Sequence, residues 1–280
     1  MASGWRWVDE LSASQRLEVL DLLNRLEAEL GREALDEGRR RIVVHGWTGR
    51  HWLRYDDGHL AAYALSSGED PLVVEVAGGG FDADLLASLR ELAPAVEWWI
   101  RDGAGSSAPG EIRRTLRLLE VTLPVAVEAI PSEVTMRTFD PMSDSQAWLE
   151  QNNLAFADHP EQGAWRQSDL AMRLREPWFD PSGFLLFELD GQIVASCWTK
   201  VHELHPDRFG EIYVVSVHPQ YQGRRLGAVA VTQGLETLRR KGVARAALFV
   251  DDSNTGALAL YERLGFRTVR EDHLLRFTGS

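Results

Sequence analysis

The sequence predicts an α/β protein of two tandem domains, each a mixed central sheet flanked by helices. Three observations carry this. The chain has 280 residues, about two domains' worth at roughly 100–200 residues each. Stretches of period-two and period-3.6 hydrophobicity alternate along it in an order that recurs in the second half. Near the midpoint, Leu123-Pro124 and Ile130-Pro131 are X-Pro pairs that disfavour helix and leave an extended connector. The division is therefore placed between 1–128 and 129–280, halves that carry formal charges of −8 and −4. About 140 residues are enough for a folded α/β unit, and the repeated order reads as a degenerate internal duplication.

In the first half a helix is expected over 12–30, where Leu17, Leu20, Leu23, Leu26 and Leu30 fall near a 3.6 period. Strands are expected over 41–45, 51–55, 59–65 and 71–77. A helix at 82–92, a strand at 96–100 and a helix at 111–120 complete the half. In the second, strands are expected over 134–139, 183–189, 192–201 and 211–217. A long helix over 223–241, a strand at 245–250, a helix at 255–264 and a closing strand at 268–276 follow.

Hydrophobic residues make up 44% and charged residues 26%, ordinary globular values that exclude a disordered or collagen-like chain. No apolar run approaches the roughly 20 residues of a membrane-spanning helix. Asp9 and Glu10 stand where a secretory signal would have its apolar core, so a cytoplasmic protein with no membrane partner is expected. The net charge of −12 argues against a nucleic-acid surface. Cys197, the single cysteine, can form neither an internal disulfide nor a Cys-rich zinc site; it reads as a small buried residue, and no metal is expected. A monomer is the expectation for oligomeric state.

The chemically informative stretch is Glu211-Ile-Tyr-Val-Val-Ser-Val-His-Pro-Gln-Tyr-Gln-Gly-Arg-Arg-Leu-Gly-Ala, a strand that enters a glycine-punctuated turn and then a helix. Unpaired N–H groups of a first helical turn, aligned with the helix dipole, hold phosphate oxygens, and Gly223 and Gly227 let the backbone approach. Arg224 and Arg225 add positive charge. Residues 220–245 hold six basic residues and one acidic residue, against the sign of the whole chain. The stretch has neither the Gly-Lys-Ser/Thr of a Walker loop nor a G-x-G-x-x-G dinucleotide turn. Together with Asn254-Thr-Gly-Ala-Leu-Ala-Leu-Tyr-Glu-Arg-Leu-Gly-Phe266, it resembles the GCN5-related N-acetyltransferase (GNAT) family over most of residues 133–280. The resemblance implies acetyl-CoA as cosubstrate. It would lie along Val215, Ser216 and Val217, then Gln222, Gly223, Arg224, Arg225, Leu226, Gly227 and Ala228, then Asn254, Thr255, Gly256, Ala257, Leu258 and Ala259.

Upstream, Asn152-Asn-Leu-Ala-Phe-Ala-Asp-His-Pro-Glu-Gln-Gly163, Glu176-Pro-Trp-Phe-Asp-Pro181, Trp198-Thr-Lys-Val-His202 and Gly210-Glu-Ile-Tyr-Val-Val215 resemble one branch of that family, the tandem mycothiol synthases of actinobacteria. This second resemblance implies acetylation of the cysteinyl amine of cysteinyl-glucosaminyl-inositol. Glu161, Lys200 and Glu211 would line the acceptor site. Glu37 matches an acid contributed by the first domain, with Asp36 competing for the register. The pattern is broken where tyrosines are expected, at Phe249 and Leu275, which leaves His273 or Tyr261 as substitutes.

The residue chemistry points the same way. Strand alternation puts Glu211, Tyr213 and Val215 on one face, towards the cofactor, where Glu211 could take a proton from an ammonium nucleophile. Lys200 and Glu161 suit a polyhydroxyl acceptor because charged groups bond hydroxyls strongly. A backbone N–H freed by strand splaying near 215–217 could hold the oxyanion. Tyr261 is either the acid that protonates the leaving thiolate or a core residue beside Phe266. In the first half the corresponding turn has Gly78, Gly79 and Gly80 but no arginine. Asp82 and Asp84 would cap its helix and repel a pyrophosphate, so that half is expected to wall the acceptor site without using acetyl-CoA. The ten tryptophans read mainly as core or interface, with a sugar platform as the alternative. Two other functions stay open: an acetyltransferase for another small primary amine, or a CoA-binding sensor without turnover.

Overall fold

A computed structural model describes residues 4–101, 108–157, 163–203 and 208–278. Its strands form one twelve-stranded sheet. The first half runs β1 (Trp5–Val8), α1 (Ala13–Leu30), α2 (Glu37–His45), β2 (Arg50–Asp56), β3 (His59–Ser67), β4 (Leu72–Ala77), α3 (Ala83–Arg90), β5 (Ala95–Ile100) and β6 (Glu111–Thr122). The second runs β7 (Thr135–Thr138), α4 (Ser145–Ala155), α5 (Gln167–Arg173), β8 (Phe184–Leu189), β9 (Gln192–Glu203), β10 (Arg208–Val217), α6 (Leu226–Arg240), β11 (Arg245–Asp251), α7 (Thr255–Arg263) and β12 (Arg267–Thr278).

The strand order is β1-β2-β3-β4-β5-β12-β6-β11-β10-β9-β8-β7. It reads alike from both ends, which is the duplication in structural form. Each half has an antiparallel run whose fourth strand pairs in parallel with its fifth, β4 with β5 and β10 with β11. The last strand of each half is exchanged. β12 pairs with β5 of the first half, and β6 pairs with β11 of the second. The two exchanged strands pair with each other at the centre.

Two expected elements are corrected. Residues 111–120 are strand rather than helix. Leu, Arg and Glu give this stretch local helix propensity, but β6 has a hydrogen-bonded neighbour on each side, and tertiary pairing overrides so weak a preference. Residues 41–45 are the end of α2 rather than a strand. Asp36 caps that helix by accepting from the Arg39 N–H at 2.9 Å, and Gly46 closes it in the left-handed conformation. Caps at both ends outweigh the β-branched Ile42-Val43-Val44. β1, α4 and α5 were not anticipated.

Along α1 the buried residues are Val19, Leu22, Leu23 and Glu27, while Leu17 and Leu30, assigned to the apolar face, are exposed. α6 begins at Leu226, later than expected, because Gly223 and Arg225 both have positive φ and keep the preceding residues in a loop. Its apolar face packs onto β9 and β10 at contact range. A Cβ on Gly234 would collide with Cys197 Sγ, so only glycine fits there. Cys197 is fully buried, as expected, and burial pushes its thiol up to about 12. Among the described residues no helix is long and apolar enough to cross a membrane.

The core divides by sheet face. In the second half α6 and α7 cover one face, with Leu119, Ile212, Leu248 and Tyr261 beneath them. α4 and α5 cover the other over Trp148, Phe184, Trp198 and Val214. Trp52, Trp98, Trp148 and Trp198 are among the largest fully buried side chains, consistent with tryptophan as core.

Candidate active site

The site is built where β10 leaves its neighbours. β10 and β11 pair only at Gly210–Ala246 and Glu211–Ala247, so beyond Glu211 the two strands diverge and leave backbone groups unpaired between them. β10 also carries a β-bulge between Ile212 and Val214. A bulge adds a residue and reverses the alternation beyond it. Tyr213 packs with the core under α4 and α5, whereas Val215 and Val217 pack with the α6 core. The expectation that Glu211, Tyr213 and Val215 share a face is therefore corrected. Glu211 and Tyr213 share one, and the bulge turns Val215 to the other.

Ser216 is buried and hydrogen-bonds Ser196 at 2.8 Å and Gln151 at 2.9 Å. Its side chain is thus engaged away from the gap, and only the backbone of 215–217 is offered there. The following loop ends at α6, whose cap residue, Arg225, has φ of 63° and makes no side-chain cap. Ala228 and Val229 donate to the Arg225 carbonyl, which leaves the N–H groups of Leu226 and Gly227 without helical acceptors. Arg224 lies over the Tyr221 ring at 5.1 Å. Gly223 has φ of 77° and open space where a Cβ would stand. Gln222 donates weakly to the Val217 carbonyl at 3.5 Å.

Across the gap, Asn254 caps α7 by accepting from Ala257 N–H at 3.1 Å. Thr255, Gly256 and Ala259 are exposed, and Ala257 and Leu258 half-buried. Tyr261, on the inner face of α7, is buried beside Phe266. Burial, then the neighbouring Cys197, keeps its phenol protonated well above the ordinary range. Its hydroxyl has no hydrogen-bond partner among the described residues.

On the other side of Glu211 the two halves meet. Register places Glu211 opposite Lys200, so both project from the same face. Lys200 Nζ is 3.2 Å from Glu33 and 3.2 Å from Glu37, both from the first half. It also lies 5.0 Å from the Trp178 ring centre and 5.8 Å from that of Tyr213. Arg41 of α2 reaches Glu37 at 3.5 Å and Glu176 at 3.7 Å. His202 Nε2 sits 2.5 Å from Glu211 Oε2. The Arg173 guanidinium donates to the Tyr213 hydroxyl at 3.0 Å.

Burial raises the Glu211 carboxyl, but the His202 hydrogen bond and charge, with Lys200, lower it further, and it lies below the ordinary glutamate range. For Glu37, burial outweighs Lys200 and Arg41, and its pKa is raised. Lys200 is pulled down by burial and pushed up more strongly by Glu33, Glu211 and Glu37, so it is firmly charged. One carboxylate held ionised beside a buried cation, next to a splayed strand pair, can accept a proton from an amine presented there.

Of the expected residues, Glu37, Lys200 and Glu211 come together here, whereas Tyr261 packs in the core on the opposite face of the sheet. Glu37 faces Lys200, while Asp36 caps α2. Phe249 is 43% exposed and lies two residues beyond Ala247, Glu211's partner, hence on Glu211's face. Leu275 does not approach: it pairs with Trp98 and is buried in the first half's core. His273 hydrogen-bonds Thr115 at 3.0 Å. Glu161 lies outside the described residues. His202, Glu33, Arg41 and Glu176 were missed. His202 was within reach, two residues after Lys200 on one strand; Glu33 had no local signal. In the first half, Asp82 accepts from the N–H groups of Asp84 and Leu85, both at 3.0 Å, and caps α3 as expected.

Residues 148–266 match the model of the Acetyltransferase (GNAT) family. The mycothiol acetyltransferase of Streptomyces griseus is 40% identical, with 96% of this chain and 94% of that protein covered. That of Thermomonospora curvata is 39% identical, with 92% of each covered. Among solved structures, a GCN5-related N-acetyltransferase from Sphaerobacter thermophilus has a TM-score of 0.69 at 22% identity, over 99% of this chain and 96% of that one. A tandem GNAT protein from the clavulanic acid biosynthesis pathway has a TM-score of 0.69 at 15% identity, over 99% of both chains. At those identities the solved structures establish the tandem fold alone.

Proposed function

The chain belongs to the mycothiol acetyltransferases of the GNAT family, and from that premise we propose that it transfers the acetyl group of acetyl-CoA to the cysteinyl amine of cysteinyl-glucosaminyl-inositol, with Glu211 as base. It is an N-acetyltransferase of mycothiol biosynthesis. The observation that carries the finer reading is the placement of Glu211 beside a buried cation, Lys200, held by Glu33 and Glu37 of the other half. Charged groups from both halves suit a long polyhydroxyl acceptor, and the gap between β10 and β11 suits an extended thioester.

In this reading acetyl-CoA lies against the backbone of 215–217, its pyrophosphate at the start of α6 with Arg224 and Arg225, and 254–259 along its far side. The acceptor lies over Lys200, Glu37 and Phe249; a role for Glu161 rests on the family resemblance alone. The amine nitrogen attacks the thioester carbonyl, forming the C–N bond, and Glu211 removes the amine proton. The oxyanion is held by a backbone N–H freed where β10 splays. Collapse breaks the C–S bond, and Tyr261 donates its proton to the departing thiolate. Residues 1–128 wall the acceptor site and 129–280 carry the chemistry. A monomer suffices, because one chain supplies both walls, and the cytoplasm is the compartment that holds the donor.

The test is thiol release from acetyl-CoA with and without cysteinyl-glucosaminyl-inositol. Acceptor-dependent release with an N-acetylated product is expected. Phe249 lacks the hydroxyl expected of the family, which favours including other small primary amines in the same assay. Release with one of those alone would reassign the acceptor, and bound acetyl-CoA with no release on any amine would make the protein a sensor.

A further inference from the structure

His202 is buried on β9 and takes no part in the bond-making and proton-transfer steps of the proposed reaction. Its ring stacks on Phe209 at 4.5 Å and 6° between planes, which fixes the ring plane. Nε2 lies 2.5 Å from Glu211 Oε2, and Nδ1 lies 3.9 Å from Glu33 Oε1. A carboxylate only accepts, so the Glu211 contact requires a proton on Nε2. That bond occupies one oxygen of Glu211 and leaves Oε1 for the amine.

We propose that His202 is the positioning residue of the base, tethering Glu211 Oε2 so that Oε1 alone faces the acceptor, with the imidazole held in this orientation by its stacking on Phe209. The proposal rests on the reading of Glu211 as base. The first half is close by: Glu33, from the α1–α2 connection, accepts from Lys200 Nζ at 3.2 Å and lies 3.9 Å from His202 Nδ1.

The charged and titratable groups around the pair come from every packed element. Glu33 precedes α2, Glu37 and Arg41 lie on it, and Glu176 follows α5. Lys200 comes from β9, Tyr213 with its Arg173 partner faces the same space, and Arg245 of β11 stacks at 4.7 Å on Phe209 behind the imidazole. Of these, His202 alone hydrogen-bonds Glu211 among the described residues. Its bond and charge are the largest influences lowering the Glu211 carboxyl, ahead of Lys200.

The first readout needs no turnover. The 13C carboxyl signal of Glu211, assigned by its loss in E211Q, is titrated in wild type, H202Q and H202L. The Glu211 midpoint is expected to rise by about one pH unit or more in H202L and part of the way in H202Q, which keeps an N–H donor but no charge. In the second readout, kcat in H202L is expected to fall roughly tenfold or more with KM for acetyl-CoA unchanged, H202Q to recover part of it, and the acid limb of kcat/KM to move up with the Glu211 midpoint. H202Q carries both readouts if H202L does not fold. An unmoved Glu211 midpoint, or kcat unchanged with an unmoved acid limb, overturns the proposal. If wild type ignores cysteinyl-glucosaminyl-inositol but acetylates another amine, the acceptor reading fails while the same comparison on that amine still tests His202.

Discussion

Arg225 holds φ of 63° at the head of α6, a conformation that costs a side-chain-bearing residue roughly 1–2 kcal/mol and that glycine adopts freely. In the proposed function this turn holds the pyrophosphate and the Arg225 side chain is used there, which accounts for the strain being kept. R225G is therefore expected to match or exceed wild-type stability by up to about 1 kcal/mol, while raising KM for acetyl-CoA severalfold. Thermal melts and steady-state kinetics check the two effects separately. Glu211 gives the complementary case. E211Q is expected to lower kcat on the order of 100-fold at neutral pH and leave KM for acetyl-CoA unchanged. Because the folded carboxyl lies below its ordinary value of 4.5, its ionised form contributes stability above that pH, and the contribution is lost as pH falls through the folded value. Unfolding of E211Q should accordingly depend less on pH than wild type in that acid range. Glu211 and Lys200 were legible in the sequence because both lie in long motif strings. Glu33 was not, since its contact to Lys200 spans 167 positions of chain and nothing in the local sequence encodes it.

At the scale of elements, α2 is the wall of the acceptor site in the proposed function. Its cap, Asp36, is held down to about 2, the Arg39 charge and hydrogen bonds overcoming the cost of burial. D36A is expected to cost about 1 kcal/mol of stability through the lost cap. By loosening the turn that carries Glu37, it should also raise KM for the acceptor more than KM for acetyl-CoA. Most elements were legible from periodicity and turn residues: β2 to β5, β7 to β12 and the bodies of α1, α3, α6 and α7. The failures have physical reasons. β6 has helix-forming side chains and becomes strand because β11 and β12 flank it. α2 carries β-branched residues and becomes helix because both ends are capped. The β10 bulge carries no composition signal, and it alone decides which way Val215 points.

For the whole molecule, the exchange of β6 and β12 makes each half incomplete by itself. Removing residues 1–128 would take β6 from between β11 and β12 and expose two strand edges at the sheet centre. The protein is expected to unfold in one transition, with coincident curves from tryptophan fluorescence and far-UV circular dichroism; separate transitions for the two halves would contradict a shared sheet. Tandem architecture was legible as a repeated order of elements, but strand exchange was not, because periodicity reports faces and not neighbours. In the same shared sheet Glu37 of α2 meets Lys200 of β9 across the two halves, at 3.2 Å. The most direct measurement is a comparison of wild type and E37Q in the acetylation of cysteinyl-glucosaminyl-inositol. A site shared by the halves predicts that KM for the acceptor rises about tenfold in E37Q, as expected for loss of one charged hydrogen bond, with KM for acetyl-CoA unchanged; an unaltered acceptor KM would mean that the first half takes no part in holding it.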